Sequence, residues 1–350
     1  MMNRKSRRRA EAIARSNRLA SKTRPPGGTA HPVPRPSTPR LHAGALKSAL
    51  LTTAAASAIL TAAPPEASAQ IVRVPGDPRC PVIGTTATCT GNLADGLVVN
   101  GTLVQTLNVN NLTAAITPAS GRRGIIVNGG NSDLTINVDT GAFGISTTGR
   151  NGDGIVATVG SADIALTSVG NITTTARESA GIETRVNGNG NITISSTGDI
   201  STTGYRLSNG IGADVKGRGN ITITSTGNIS TTAQLSEGID GDVDGGGNVT
   251  ITSTGDISTA AVASEGIELD IGGGGNGAIT SVGNVTTTGR YSEGIDAEVQ
   301  GGGNLTVTST GNISTRGPGS QGIYARLRGD GDITITSTGD IIAGGADAVE

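Results

Sequence analysis

Carboxylates recur in this chain at fixed intervals. Two residues after a repeated Gly-Ile glycine stand Glu183, Asp240, Glu268 and Asp296, and four residues after it stand Asp214, Asp242, Asp270 and Glu298. Like charges stacked about 4.8 Å apart repel by roughly 0.9 kcal/mol per pair in water, and a bound divalent cation would relieve them. The densest run, Asp240-Gly241-Asp242-Val243-Asp244-Gly245, matches the first half of a calcium loop of the EF-hand type and makes Asp240, Asp242 and Asp244 a candidate calcium site. The twelfth loop position is Ile251 rather than Glu, so the full motif fails. The plainer reading is a solvated acidic face. Paired carboxylates could also serve a glycosidase or lyase, but a catalytic site should break the repeat locally, and these acids follow it. The expectation is a protein that is not an enzyme and needs no cofactor, calcium excepted.

Other side chains are candidates for recognition. The segment before each Gly-Ile pair is the most variable, and it carries Tyr205, Arg206, Arg290 and Tyr291. Variable loops on one edge of a regular scaffold are where binding is built, or simply where change is tolerated. Threonines recur as Thr222, Thr224, Thr226 and again as Thr250, Thr252, Thr254, an array with the look of an ice-binding surface, interrupted at Ser195, Ala278 and Val282. Threonine also suits any exposed strand face. Arg328-Gly329-Asp330 spells a short cell-attachment tripeptide at a generic turn. Cys80 and Cys89, the only two cysteines, are most simply a disulfide in an exported chain, with two free thiols as the alternative.

All of these positions are set by a repeat of 28 residues running from about residue 124 to the last residue. One unit, Asn220 to Gly247, shows the pattern. Ile221 and Ile223 alternate with Thr222 and Thr224, a turn follows at Gly227-Asn228, Ile229 resumes the inward series, and Ile239 and Val243 complete it. Period-two runs bounded by Gly, Asn and Asp predict three short β-strands per unit, with glycine at the T-G-(D/N) corners supplying positive φ. Five inward aliphatics cannot offset the entropy of fixing one such unit alone, so the units must stack. The sequence predicts an all-β chain, a right-handed parallel β-solenoid of about eight coils of 28 residues. With no Trp, one Phe and 56 Gly, an ordinary globular core is excluded.

The ends differ from the repeat. Residues 1–69 hold a basic cluster (Arg4, Lys5, Arg7, Arg8, Arg9, Arg15, Arg18), a Pro-rich stretch and an apolar run, Leu50 to Ala63, closing on Ala67-Ser68-Ala69. This is the pattern of a secretory signal peptide with a long basic lead, cleaved after Ala69. Cleavage would leave 14 basic and 26 acidic residues, a net charge of −12, and would remove His31 and His42. That charge argues against nucleic acid as a partner, and no imidazole would remain for catalysis or metal binding. Residues 70–123 are expected to form an N-terminal cap, and 124–350 the solenoid. The last residues, Gly339 to Glu350, enter another coil, so the solenoid is expected to be truncated at this end.

With its export signal, cysteine pair and G-N-I-T-I-T-S-T-G-D-I-S-T-T-G repeat, the chain resembles the passenger region of Gram-negative autotransporter proteins. It is similar, less specifically, to the large exoproteins of two-partner secretion such as filamentous haemagglutinin. The resemblance implies a β-helical stalk or adhesin, exported to the cell surface, the outer membrane or the medium. It also implies an outer-membrane β-barrel translocator, absent from this sequence, and a host-surface or polysaccharide ligand.

Overall fold

A computed structural model describes residues 72–345 and 347–350. The predicted signal peptide and its cleavage site lie outside the described residues. The described chain is all-β, a solenoid in which each regular coil contributes one strand to each of three sheets of parallel-paired strands. The Gly-Ile sheet runs in chain order from Val72–Val74 through Ile239–Val243 to Ile323–Arg328, ten strands in all. The T-x-T sheet runs to Ile333–Ser337, and a sheet of three-residue strands from Ile145–Thr147 to Ile341–Ala343 closes the triangle. Registers step by one repeat without slippage through the regular coils, as Ile211, Ile239, Ile267, Ile295 and Ile323 pair in series.

The solenoid has about ten turns where the repeat suggested eight. Val72 already pairs with Leu97, and Leu97 with Ile125, so the stack begins well before Gly124. The first turns lack the T-G-(D/N)-I signature but keep the inward alternation, which is what the hydrogen-bond ladder requires. Val82–Ile83 folds back antiparallel on Thr86–Gly91 and covers the starting edge of the T-x-T sheet. A disulfide joins Cys80 to Cys89 across this hairpin, both side chains fully buried. At the other end Val349 bridges to Ile323, placing the last residues as the start of a further layer.

The core is a set of columns. Ile221, Ile223, Ile229, Ile239 and Val243 are each 0–1% exposed, and their equivalents stack above and below them. One coil breaks the columns in a compensated way. Leu269 stands where its neighbours are Gly241 and Ala297, and Gly277 stands where they are Val249 and Leu305. A Cβ on Gly277 would lie 2.9 Å from Leu305 Cδ1 and 3.0 Å from Leu269 Cδ2, so the larger leucine fills the space the missing side chain leaves. Restoring the repeat's valine, Gly277→Val, should therefore destabilise the protein by about 1–3 kcal/mol through overpacking. Adding Leu269→Ala to it should recover most of that loss, read as the unfolding midpoint in urea. Additive losses would disprove the exchange.

Candidate functional site

Two surfaces carry chemistry: the loop edge before the Gly-Ile strands and the outer face of the Gly-Ile sheet itself. The loop edge is held in place by hydroxyls. In each regular coil a buried threonine at the end of the short strand donates to a serine carbonyl across the loop, as Thr231 Oγ1 does to Ser236 O at 2.9 Å and Thr315 Oγ1 to Ser320 O at 2.9 Å. The serines then link coil to coil, with Ser208 N donating to Ser236 Oγ at 2.7 Å and Ser292 N to Ser320 Oγ at 2.9 Å. The corner residue is left-handed even where it is not glycine, with φ of 56° at Leu207 and Leu235 and 54° at Tyr291. Each corner N–H donates to the next coil's loop carbonyl, Leu207 to Gln234 O at 3.0 Å for example, which offsets the strain of that conformation. The extra residue in the Gly198 to Gly210 segment is absorbed here. Thr202 reaches Ser208, six residues on, where the others span five.

On this edge Tyr205 is 65% exposed and Arg206 is half-buried, its backbone bridged to Gln234. Arg290 lies over the Tyr291 ring at 5.5 Å from its centroid. The two pairs sit three coils apart, about 14 Å along the axis, so they do not converge on one small ligand. Arg328, Gly329 and Asp330 are all exposed at the turn that follows the Gly-Ile strand.

The outer face of the Gly-Ile sheet is the more concentrated site. Strand alternation sends Asp240 and Asp242 outward from one strand and stacks Glu268 and Asp270, then Asp296 and Glu298, on them in register. The residue before each glycine adds Glu237, Glu265 and Glu293, so three coils present nine carboxylates in a three-by-three array. These acids are not a solvated fringe: Asp240 is 2% exposed, Glu237 3%, and Asp242, Asp270 and Glu298 6% each. The array is bounded by cations. Lys216 Nζ lies 2.6 Å from Asp214 and 3.2 Å from Asp244, Arg185 Nε lies 3.4 Å from Asp214, and Arg326 follows Glu298 in register. Burial works to lower the Lys216 pKa, but the hydrogen bond to Asp214 and the charges of Asp214, Asp242 and Asp244 outweigh it, and the net shift is upward.

The structure does not bring the three residues of the half-motif together on one ion. Asp240, Asp242 and Asp244 are spread along an extended segment, two residues apart, and Asp244 is engaged by Lys216. The carboxylates that do converge are Glu237, Asp240 and Glu268, with one oxygen from each lying within 4.8 Å of the others. Asn209 steadies this group, donating from Nδ2 to Asp240 Oδ2 at 2.8 Å and accepting from Glu237 N at 3.2 Å. Glu237 and Glu265 escaped attention in the sequence because they end the variable loop, although the same offset from the Gly-Ile glycine recurs in their coils.

The array also shifts protonation. Burial, and then the charges of Glu268, Glu293, Glu237 and Asp296, push the Glu265 carboxyl well above its ordinary value of 4.5. A carboxyl raised in the folded state binds its proton more tightly there than in the unfolded chain. Its stabilising effect is complete below 4.5 and is lost as the pH rises through the folded pKa. The melting temperature at low salt should therefore climb as the pH is lowered from about 8 to about 5, and Glu265→Gln should raise it at the upper end and flatten the slope. A maximum near pH 8 in the unaltered protein would refute this. No family model matches the chain, and neither does any curated protein or solved structure.

Proposed function

We propose that the protein is a non-enzymatic, secreted or cell-surface β-solenoid, the passenger portion of an autotransporter-like protein, working as a stalk or adhesin. The observation that carries this reading is the continuous stack of about ten coils, which builds a rod of about 43 Å that presents its three faces and its loop edge along the whole length. Such a scaffold suits presentation and extended contact better than enclosure of a substrate. The sequence of residues 1–69 favours export, and the Cys80–Cys89 bond fits an oxidising compartment. In this reading a Gram-negative outer-membrane β-barrel carries the chain across, and the loop edge with Tyr205, Arg206, Arg290 and Tyr291 meets a host surface or a polysaccharide. The expected result in the source cell is a chain beginning at Gln70 that is digested by protease added to intact cells, or recovered from the medium. A chain retained inside the cell with residues 1–69 attached would overturn the proposal.

A second reading is favoured by the convergence of Glu237, Asp240 and Glu268. Three carboxylates at that spacing are a hard, all-oxygen donor set of the kind calcium takes, with waters completing its shell. The solenoid would then be calcium-stabilised. Millimolar calcium should raise the melting temperature by several degrees, an effect absent in Glu268→Gln; equal stabilisation of that variant, or none in either protein, would exclude the reading.

A further inference from the structure

The outer face of the Gly-Ile sheet changes character along its length. Two residues after the glycine position the early coils carry Val98, Ile126 and Val156, and the column then turns to Glu183, Gly212 and the acids Asp240, Glu268 and Asp296. Beside the first two of these lies a cavity of about 280 Å³, floored by half-buried Val98 and Ile126 and walled by the corners Asp95–Gly96 and Gly121–Arg123. Its two guanidinium groups are in different situations. Arg123 Nε lies 2.6 Å from Asp153 Oδ2, so its charge is answered within the fold. The Arg122 side chain is exposed and, among the described residues, has no hydrogen-bond or ion-pair partner. The one acid on the wall, Asp95, lies in the field of Arg79.

An apolar floor beside an unanswered guanidinium has a definite complement. We propose that this cavity binds a small carboxylate bearing a short aliphatic chain, with the carboxylate on Arg122 and the chain over Val98 and Ile126. The guanidinium offers a paired fork of donors that a carboxylate matches, and chain burial on the valine and isoleucine contributes the rest. The volume falls just under the range of drug-sized ligand sites, about 300–1,000 Å³, which suits a ligand of only a few carbons. The acid array cannot take such a ligand, since like charge repels it, so the two halves of this face are suited to ligands of opposite sign.

The test is an amide NMR titration of the full chain with hexanoate, set beside hexylamine, which has the same chain and the opposite charge. Hexanoate is expected to give saturable shifts confined to Gly96, Gly121, Arg123 and Asn151, and hexylamine none that saturate. Arg122→Gln should weaken hexanoate binding about tenfold with the remaining spectrum unchanged, the loss expected for one charge-assisted pair. Saturable binding of hexylamine at the same amides, undiminished hexanoate binding in Arg122→Gln, or no saturable hexanoate shift would each overturn the proposal.

Discussion

A parallel stack of coils places every residue directly over its own equivalent, about 4.8 Å away, so each position must be compatible with itself. Aliphatic residues meet this condition by packing, and isoleucine is the commonest residue of the core. Polar residues meet it by donating upward and accepting downward. In the corner column Asn171, Asp199, Asn228, Asp256, Asn284, Asn312 and Asp340, each backbone N–H after the first donates to the side-chain oxygen of the preceding coil at 2.8–3.1 Å. Asn and Asp serve equally, because only an acceptor oxygen is required, yet no two aspartates are adjacent. The companion column keeps its acids at its two ends, Asp133 with the adjoining Asp163 at one and Asp332 at the other, with Asn191, Asn220, Asn248, Asn276 and Asn304 between them. Close approach settles the glycine of each Gly-Ile pair as well: a Cβ on Gly238 would sit 2.5 Å from Gly266 O.

The acid array violates that condition over longer runs than either corner column does. Glu237, Glu265 and Glu293 follow one another without an intervening neutral residue, as do Asp240, Glu268 and Asp296 and the series Asp214, Asp242, Asp270 and Glu298. Asparagine or threonine at any of these positions would keep the strand and lose the repulsion. The corner columns stack acid on acid only at Asp133 and Asp163, so runs of three and four acids in a column are more than turning the backbone calls for. Local departures from an otherwise consistent pattern are where function is found in a regular fold.

The sequence carried the solenoid because period-two alternation and corner glycines are local signals, repeated often enough to fix the phase. Ile221, Ile223 and Ile229 could be assigned inward, and the extra residue near Tyr205 to a loop, before any coordinates. The turns before Gly124 were hidden because Val72-Arg73-Val74 is too short to show a period and its partner, Leu97, lies only 25 residues on. The exchange between Leu269 and Gly277 was hidden too, because it joins residues on different sheets of the same coil. Alternation placed Asp240 and Asp242 on the outer face correctly but could not report their burial. It gives the direction of a side chain and not what surrounds it. The three ladders of Thr, Ser and left-handed corners were present as a recurring T-x-x-x-x-S spacing whose meaning depended on the hydrogen bonds across the loop.

Once identical coils are stacked, chemistry can vary only by column and by height, and this chain uses both. By column, the outward residues of the T-x-T strands from Ala165 to Thr338 include no charge, while the neighbouring Gly-Ile face holds the charged groups. By height, that second face passes from Val98 and Ile126 beside Arg122 to nine carboxylates further along. A partner approaching the rod therefore meets a neutral hydroxyl surface, an apolar cation-rimmed recess or a field of carboxylates, according to the side and the level it reaches. A fold that repeats its backbone without change can still address several partners, because the ladder constrains only what points inward and along the axis.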